Sequence, residues 1–124
     1  MRYWPILIAI LPILAACGSG SPASPAPELD PLAVQGRQIF TQNCAACHAL
    51  SADTIIVGPS LAGVAGRAGS RMAGLDARQY LERSILKPDA YVVKGFSDVM
   101  PKDFGKKLTS EELNALVAFL LTLK

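Results

Sequence analysis

The chain has 124 residues, three cysteines and a formal net charge of +2, and 51% of its residues are hydrophobic. Part of this apolar excess lies in residues 1–16, and the remainder has the size of one small domain that buries only a modest fraction of its surface. No internal repeat is evident, and the nearly balanced charge gives no support to nucleic-acid binding.

Residues 1–16 are predicted to be a secretory signal. The segment starts with Arg2 and continues as an apolar core that Pro5 and Pro12 interrupt. It is too short for a membrane-spanning helix, which needs about 20 apolar residues, but it suits an export signal. Its end, Leu14-Ala15-Ala16-Cys17, resembles the lipobox of bacterial lipoproteins, in which cleavage leaves the cysteine as the acylated first residue. The alternative is an ordinary cleavage site that leaves a free thiol, which is a liability in an oxidising compartment.

Lipidation of Cys17 predicts an exported protein that is anchored to a bacterial membrane and faces the periplasm or the cell exterior. Two or more acyl chains give stable anchoring, where one chain would be marginal. Residues 17–30 are rich in Gly, Ser and Pro. They are predicted to form a flexible tether that reaches at most ~40 Å. Such a tether would let a small domain move between sites near one membrane face, and a passive spacer is an equally good interpretation.

The folded domain is predicted to span residues 31–124, and its first helix begins immediately. Asp30 is a suitable N-cap, and Pro31 suits the first helical position. The helical pattern continues to Phe40 and leads directly into Cys44.

The run Cys44-Ala45-Ala46-Cys47-His48 is the attachment signature of a c-type haem. Each thiol can add to one vinyl group of the porphyrin, and the adjacent imidazole is then held as an iron ligand. A thioredoxin-like dithiol is a second interpretation, but that motif usually lies at a strand-to-helix junction and the sequence has no good strand run. A zinc site is a third. It needs four nitrogen or sulfur ligands, and the mature chain offers one histidine and no third free thiol.

Two further helices have clear start signals. Asp76 and Gln79 form a capping-box pattern, and Pro88 ends the helix that follows. Thr109 and Glu112 form a second capping box. The apolar residues after it recur at helical spacing and are predicted to lie in the core, namely Leu113, Leu116, Val117, Leu120 and Leu123.

Long segments rich in Gly and Pro separate these helices. Residues 57–70 and 87–107 are predicted to contain little regular structure. Loops of this length need a large group to wrap around, and a haem would serve.

From Gly36 to the C-terminus the chain resembles a class I monohaem cytochrome c, the mitochondrial type. The run Gly36-Arg37-Gln38-Ile39-Phe40, followed by Cys44, reproduces the spacing by which a glycine and an aromatic residue of the family's first helix cross the last helix. Leu116 and Phe119 fall where the last helix supplies its half of that contact. The resemblance implies an all-α fold in which the N- and C-terminal helices cross and a middle helix and long loops surround one covalent haem.

The segment Gly58-Pro59-Ser60-Leu61, followed by Gly63 and Gly66-Arg67, also resembles this family. In the family, the proline carbonyl accepts a hydrogen bond from the second nitrogen of the haem-ligating histidine, and the arginine contacts a haem propionate. The resemblance therefore assigns these two roles to Pro59 and Arg67.

The resemblance further implies a methionine as the sixth ligand of the iron. Met1 leaves with the signal, so Met72 and Met100 compete for this role. Met100 precedes Pro101 shortly before the last helix, where the family places its axial thioether, and Met72 is assigned to loop packing. A family tyrosine that often hydrogen-bonds the axial methionine aligns with Ser84.

The predicted function is one-electron transfer by a membrane-tethered carrier in a respiratory or photosynthetic chain, acting freely or as a subunit of a larger complex. Ligation by histidine and methionine raises the reduction potential and leaves no open position for oxygen, so no enzymatic reaction and no small-molecule substrate are expected. Residues 85–93 resemble the cytochrome domains of haem-copper oxidase subunit II and the monohaem subunits of alternative complex III. The implied partners are redox proteins such as a quinol-oxidising complex and a terminal oxidase or photosynthetic reaction centre.

Two points about this function stay open at the level of sequence. A haem-based ligand sensor or enzyme, in which Met100 detaches from the iron, is the competing hypothesis. The second point is charge: Lys102, Lys106 and Lys107 form a cluster that could steer docking to an acidic partner. A run of this kind is more often only a solvated surface.

Overall fold

The computed structural model describes residues 30–124, which form five α-helices and one short 3₁₀ turn. The predicted signal, Cys17 and almost all of the predicted tether lie outside the described residues. The elements are listed here in chain order: α1 Pro31–Asn43, α2 Val64–Ala68, α3 Ala77–Leu86, the 3₁₀ turn Pro88–Ala90, α4 Phe104–Lys107 and α5 Ser110–Leu120. The described residues contain no strand, which confirms the all-α prediction. None of these helices has the length and apolarity needed to cross a membrane.

The three longer helices begin where the sequence predicts. The Asp30 carboxylate accepts a hydrogen bond of 2.8 Å from the Leu32 N–H at the start of α1. At the start of α3, the Asp76 carboxylate accepts a hydrogen bond from the Gln79 N–H, and the Gln79 side-chain oxygen accepts one from the Asp76 N–H. The same reciprocal capping box opens α5. Because each cap satisfies backbone groups that a helix end leaves unpaired, short side chains at fixed spacing determine these boundaries.

The centre of the fold is the crossing of α1 on α5, which the resemblance predicted. Gly36 makes this contact possible, because a Cβ atom added there would lie 2.5 Å from the Ala115 carbonyl carbon and closer still to its oxygen. The rings of Phe40 and Phe119 pack beside this point with centroids 5.6 Å apart. Ala115 and Phe119 of α5 supply the atoms nearest to Gly36. Leu116, which the resemblance also named, is buried in the same core cluster as Phe40 and Phe119 and lines the cleft described below.

The expectation of little regular structure in residues 57–70 and 87–107 is wrong in part. These segments contain α2, the 3₁₀ turn and α4, each of three to five residues. Tertiary contacts stabilise them: the Ala65 N–H of α2 donates to the Leu123 carbonyl at 3.0 Å, and Phe104 of α4 is buried. Helices this short are unstable alone in water, so local sequence carries little signal for them.

Candidate cofactor site

A deep cleft lies between α1, α3 and α5, and the loops on either side complete its walls. The space between its walls is about 1170 Å³ when the open solvent at the mouth is included. The inner wall is apolar and includes Leu61, Leu81, Ile85, Phe96 and Leu116. The cleft is therefore suited to a large, mostly apolar group.

The Cys-x-x-Cys-His motif forms one wall of this cleft, directly after α1. The Cys44 N–H donates to the Phe40 carbonyl at 2.8 Å, and the His48 N–H donates to the Cys44 carbonyl at 2.9 Å. These bonds extend the helix end into a tight turn that presents both cysteines and the histidine to the cleft. Both thiols are free and partly buried. Burial, with a smaller contribution from Cys47, raises the pKa of the Cys44 thiol to about 11.

The orientation of His48 is set by the loop that follows the motif. Its Nδ1 lies 2.8 Å from the Pro59 carbonyl oxygen. Because a carbonyl can only accept, Nδ1 carries the proton and Nε2 keeps a lone pair for a metal. Gly58 completes the cradle, since a Cβ there would lie 2.9 Å from Nδ1 and 3.0 Å from Nε2. The Val57 and Gly58 N–H groups both donate to the Cys47 carbonyl, which ties this loop to the motif.

Met100 lines the same cleft, and Met72 does not. Met72 is partly buried and packs against the hydrophobic core, as predicted for loop packing. The loop before Met100 turns at Gly95, whose φ of +91° is favourable for glycine. Hydrogen bonds from the Phe96 N–H to the Val93 carbonyl and from the Val99 N–H to the Ser97 carbonyl, both 3.0 Å, fix the local shape of this loop.

Arg67 lies apart from these residues and does not line the cleft. Its guanidinium donates to the Ala62 carbonyl and, at 2.6 Å, to the Ser60 carbonyl. The Arg67 side chain therefore links α2 to the loop that follows Pro59. The predicted propionate contact would have to use the remaining donors of the guanidinium, and it stays a prediction.

Two further features line the site besides the predicted haem-binding residues. Ser84 Oγ is buried at the cleft wall and has no hydrogen-bond partner among the described residues. Tyr80 and Tyr91 stack edge to face with centroids 5.8 Å apart, and both line the cleft. The helical spacing of α3 places position 84 on the same side as Tyr80.

The residues that meet at the cleft fit a haem better than the two alternative groups. Residues 30–124 contain no cluster of three or more His, Cys, Asp or Glu that could hold a metal ion by itself, so a zinc site finds no support there. That part of the chain also lacks the strand that a thioredoxin-like dithiol requires. Two thiols, one oriented imidazole and one thioether on an apolar wall are instead the donors that suit a covalently attached iron porphyrin. The unpaired Ser84 hydroxyl adds one polar group that could contact a bound molecule.

Comparisons with known proteins identify what the chain is similar to. A family model described as cytochrome c matches residues 33–124. An engineered cytochrome c from Rhodothermus marinus, Rma TDE, is 23% identical with a TM-score of 0.48, and the match covers 81% of this chain and 84% of that one. The same engineered protein bound to a carbene intermediate gives 27% identity, a TM-score of 0.48 and the same coverage. Cytochrome c from Rhodothermus marinus gives 24% identity and a TM-score of 0.45 over 81% of this chain and 84% of that one. No curated protein matches the chain.

Proposed function

The chain belongs to the cytochrome c family, whose domain carries covalently bound haem c and transfers electrons through it, and we propose that it is a one-electron carrier with His48 and Met100 as axial ligands. Cys44 and Cys47 would bind the haem covalently. The observation that carries the proposal is that all four side chains line one apolar cleft, together with the hydrogen bond of 2.8 Å between His48 Nδ1 and the Pro59 carbonyl.

The His48–Pro59 bond prepares the imidazole for its role. A histidine that donates its second N–H to a carbonyl is a more basic and better oriented metal ligand. The backbone bonds from Val57 and Gly58 to the Cys47 carbonyl keep Pro59 in place. These hydrogen bonds favour a His48 imidazole that would stay bound to the iron rather than detach from it.

Met100 and the apolar wall would set the electronic properties of the site. When bound, the haem supplies an iron centre that changes its charge by one electron. A thioether ligand and a low-polarity wall both disfavour the additional charge of the ferric state, which raises the reduction potential. Leu61, Leu81 and Phe96 also keep water away from the interior of the cleft.

The cellular setting that we propose follows from residues 1–30. Export and acylation at Cys17 would anchor the protein to a bacterial membrane, facing the periplasm or the cell exterior. The partners would be a quinol-oxidising complex on one side and a terminal oxidase or photosynthetic reaction centre on the other. The lipobox pattern and the similarity of residues 85–93 to cytochrome domains of such complexes support this setting.

Optical spectroscopy with carbon monoxide tests the ligand set. The haem-loaded chain and its Met100→Ala and Met72→Ala variants are compared in the ferric and ferrous states. We expect a low-spin spectrum that is indifferent to carbon monoxide in the wild type and in Met72→Ala, because both axial positions are occupied. Met100→Ala should bind carbon monoxide readily.

Two results would contradict the proposal. Rapid binding of carbon monoxide by the wild type would exclude permanent His/Met ligation and would move the protein to the sensor or enzyme class. Equal carbon monoxide binding by both variants would show that Met100 is not the specific ligand.

A further inference from the structure

The two sides of the cleft are attached to the rest of the fold in different ways. On the histidine side, the Leu61 N–H donates to the Ala49 carbonyl at 2.8 Å, in addition to the two bonds to the Cys47 carbonyl described above. On the other side, we define the methionine loop as residues 91–102, which follow the 3₁₀ turn. Its two backbone hydrogen bonds are internal, and within residues 30–124 no backbone hydrogen bond joins it to another segment. The methionine loop therefore depends on side chains for its attachment.

One charged side chain of the methionine loop, Lys102, reaches a different segment. Its Nζ lies 2.8 Å from a carboxylate oxygen of Asp98, within the loop, and 3.7 Å from a carboxylate oxygen of Asp89, in the 3₁₀ turn. In the part of the chain that the structure describes, no other ion pair or side-chain hydrogen bond connects this loop to another segment. Asp98 and Lys102 lie two residues before and two residues after Met100, so the contact with Asp89 attaches the ligand-bearing stretch to the end of α3.

Apolar packing holds the methionine loop only in part. Met100 and Tyr91 are partly buried against the hydrophobic core, whereas Val99, directly before Met100, is 61% exposed. Segments with few buried contacts and few hydrogen bonds to the rest of a fold open at a lower free energy than the core does. Of the two proposed axial ligands, we therefore expect Met100 rather than His48 to detach first.

The exposure of the ion pairs determines how strongly they can act. The side chains of Lys102, Asp89 and Asp98 are 54%, 56% and 39% exposed. An isolated pair of this kind contributes little to stability, but a lysine shared by two carboxylates forms a small network. The pair with Asp98 spans four residues and can persist when the loop opens, whereas the contact with Asp89 must break. The second contact therefore acts on the opening of the loop, and its effect should be a few-fold change in a rate.

We propose that Lys102 is a positioning residue for Met100: by bridging Asp98 to Asp89, it holds the methionine loop on the 3₁₀ turn and slows detachment of the thioether from the iron. This inference rests on the proposed role of Met100 as the sixth ligand. It gives Lys102, a member of the predicted lysine cluster, a role within the protein itself.

The rate of imidazole binding to the haem-loaded ferric protein measures how often Met100 detaches. An imidazole nitrogen replaces the methionine sulfur on the iron and no electron is transferred, so the rate at saturating imidazole equals the rate of detachment. It is followed by stopped-flow absorbance at low salt, at a pH that keeps the added imidazole uncharged. We expect Lys102→Ala and Asp89→Asn each to raise this limiting rate about threefold to fivefold, because each removes the same contact. Lys102→Arg, which keeps the charge, should stay within about twofold of the wild type.

A neighbouring lysine supplies the matched control. Lys107 is 55% exposed and pairs with Asp103 at 2.9 Å, but both residues belong to one short stretch, so this pair joins no separate segments. Lys107→Ala removes the same charge and should leave the limiting rate unchanged. The double variant Lys102→Ala/Asp89→Asn should be no faster than either single variant, because the two substitutions remove one shared interaction. Raising the salt to ~1 M, where the Debye length is ~3 Å, should bring the wild-type rate towards that of Lys102→Ala.

Three results would overturn the inference in proteins whose spectrum still shows methionine ligation. The first is an equal limiting rate in Lys102→Ala and Lys107→Ala. The second is a set of rate increases for Lys102→Ala and Asp89→Asn that multiply in the double variant, since independent effects would exclude a shared contact. The third is a Lys102→Arg protein as fast as Lys102→Ala. A spectrum that Met100→Ala leaves unchanged would instead refute the proposed ligand set, so the two failures are distinguishable.

Discussion

Replacing Gly58 by alanine should weaken the ligand set without touching a ligand. The new Cβ would lie 2.9 Å from His48 Nδ1 and 3.0 Å from Nε2, with Cε1 closer still. The imidazole or the loop must therefore move. Movement of the loop would disturb the bonds from the Val57 and Gly58 N–H groups to the Cys47 carbonyl, and movement of the ring would break the bond to Pro59.

The magnitude follows from these contacts. Loss of the His48–Pro59 hydrogen bond costs about 0.5–1.5 kcal/mol, and overpacking costs about 1–3 kcal/mol. We expect Gly58→Ala to lower the free energy of unfolding of the haem-loaded protein by about 2–4 kcal/mol in total. The reduction potential should rise, because a less basic imidazole stabilises ferric iron less.

Guanidinium unfolding followed by haem absorbance, together with protein-film voltammetry, would measure both effects. Gly66→Ala is the matched control, because nothing lies within 4 Å of its added Cβ. Gly66 lies inside α2, where alanine is more favourable than glycine by about 0.5–1 kcal/mol. If Gly58→Ala matched Gly66→Ala in both stability and potential, the cradle around His48 would have no role and the argument would be refuted.

Three further predictions concern the crossing, the charges and the anchor. Gly36→Ala should cost about 3 kcal/mol or more in unfolding free energy, because its Cβ would meet the Ala115 carbonyl; calorimetry that found an unchanged Tm would contradict this. The hydrogen bond from Lys107 lowers the pKa of Asp103, so the carboxylate contributes stability above an unfolded-state value of about 4 and loses it as the pH falls through the lower folded-state value. Asp103→Asn should therefore lower the denaturation midpoint slightly at neutral pH and not at strongly acidic pH, and an equal loss at both would count against the pair. Cys17→Ser should move the protein from the membrane to the soluble fraction, and an unaltered distribution would exclude the lipid anchor.

Features that depend on a few neighbouring residues could be predicted from the sequence. The caps at Asp30, Asp76 and Thr109 are confirmed, because a capping side chain bonds to backbone only two or three positions away. The Cys-x-x-Cys-His motif predicted covalent haem for the same reason, since the spacing itself defines the chemistry. The match of residues 33–124 to the cytochrome c family confirms that cofactor. Pro59 and Met100 came from the resemblance, and the structure places both at the cleft.

Features that depend on distant segments were decided only by the tertiary structure. The sequence marked Gly36 as a packing glycine, but the identity of its nearest neighbour, the Ala115 carbonyl, depends on how α1 and α5 are rotated at their crossing. α2 and α4 exist because the rest of the fold supplies the contacts that short helices lack. The direction of Arg67, towards the Ser60 and Ala62 carbonyls rather than into the cleft, depends on the path of the loop.

The haem-attachment motif depends on neighbouring residues, whereas the surface around it depends on distant segments. The sequence by itself determined that the chain carries a haem-attachment motif, capped helices and an apolar last helix, because these follow from local spacing. Only the tertiary structure decided that Ile55 and Ile56 remain exposed, since an apolar residue in a loop is buried or exposed according to what packs against it. It also decided that Lys102 is neutralised by two aspartates from different segments. Exposure and charge pairing are properties of the assembled surface, and no local pattern encodes them.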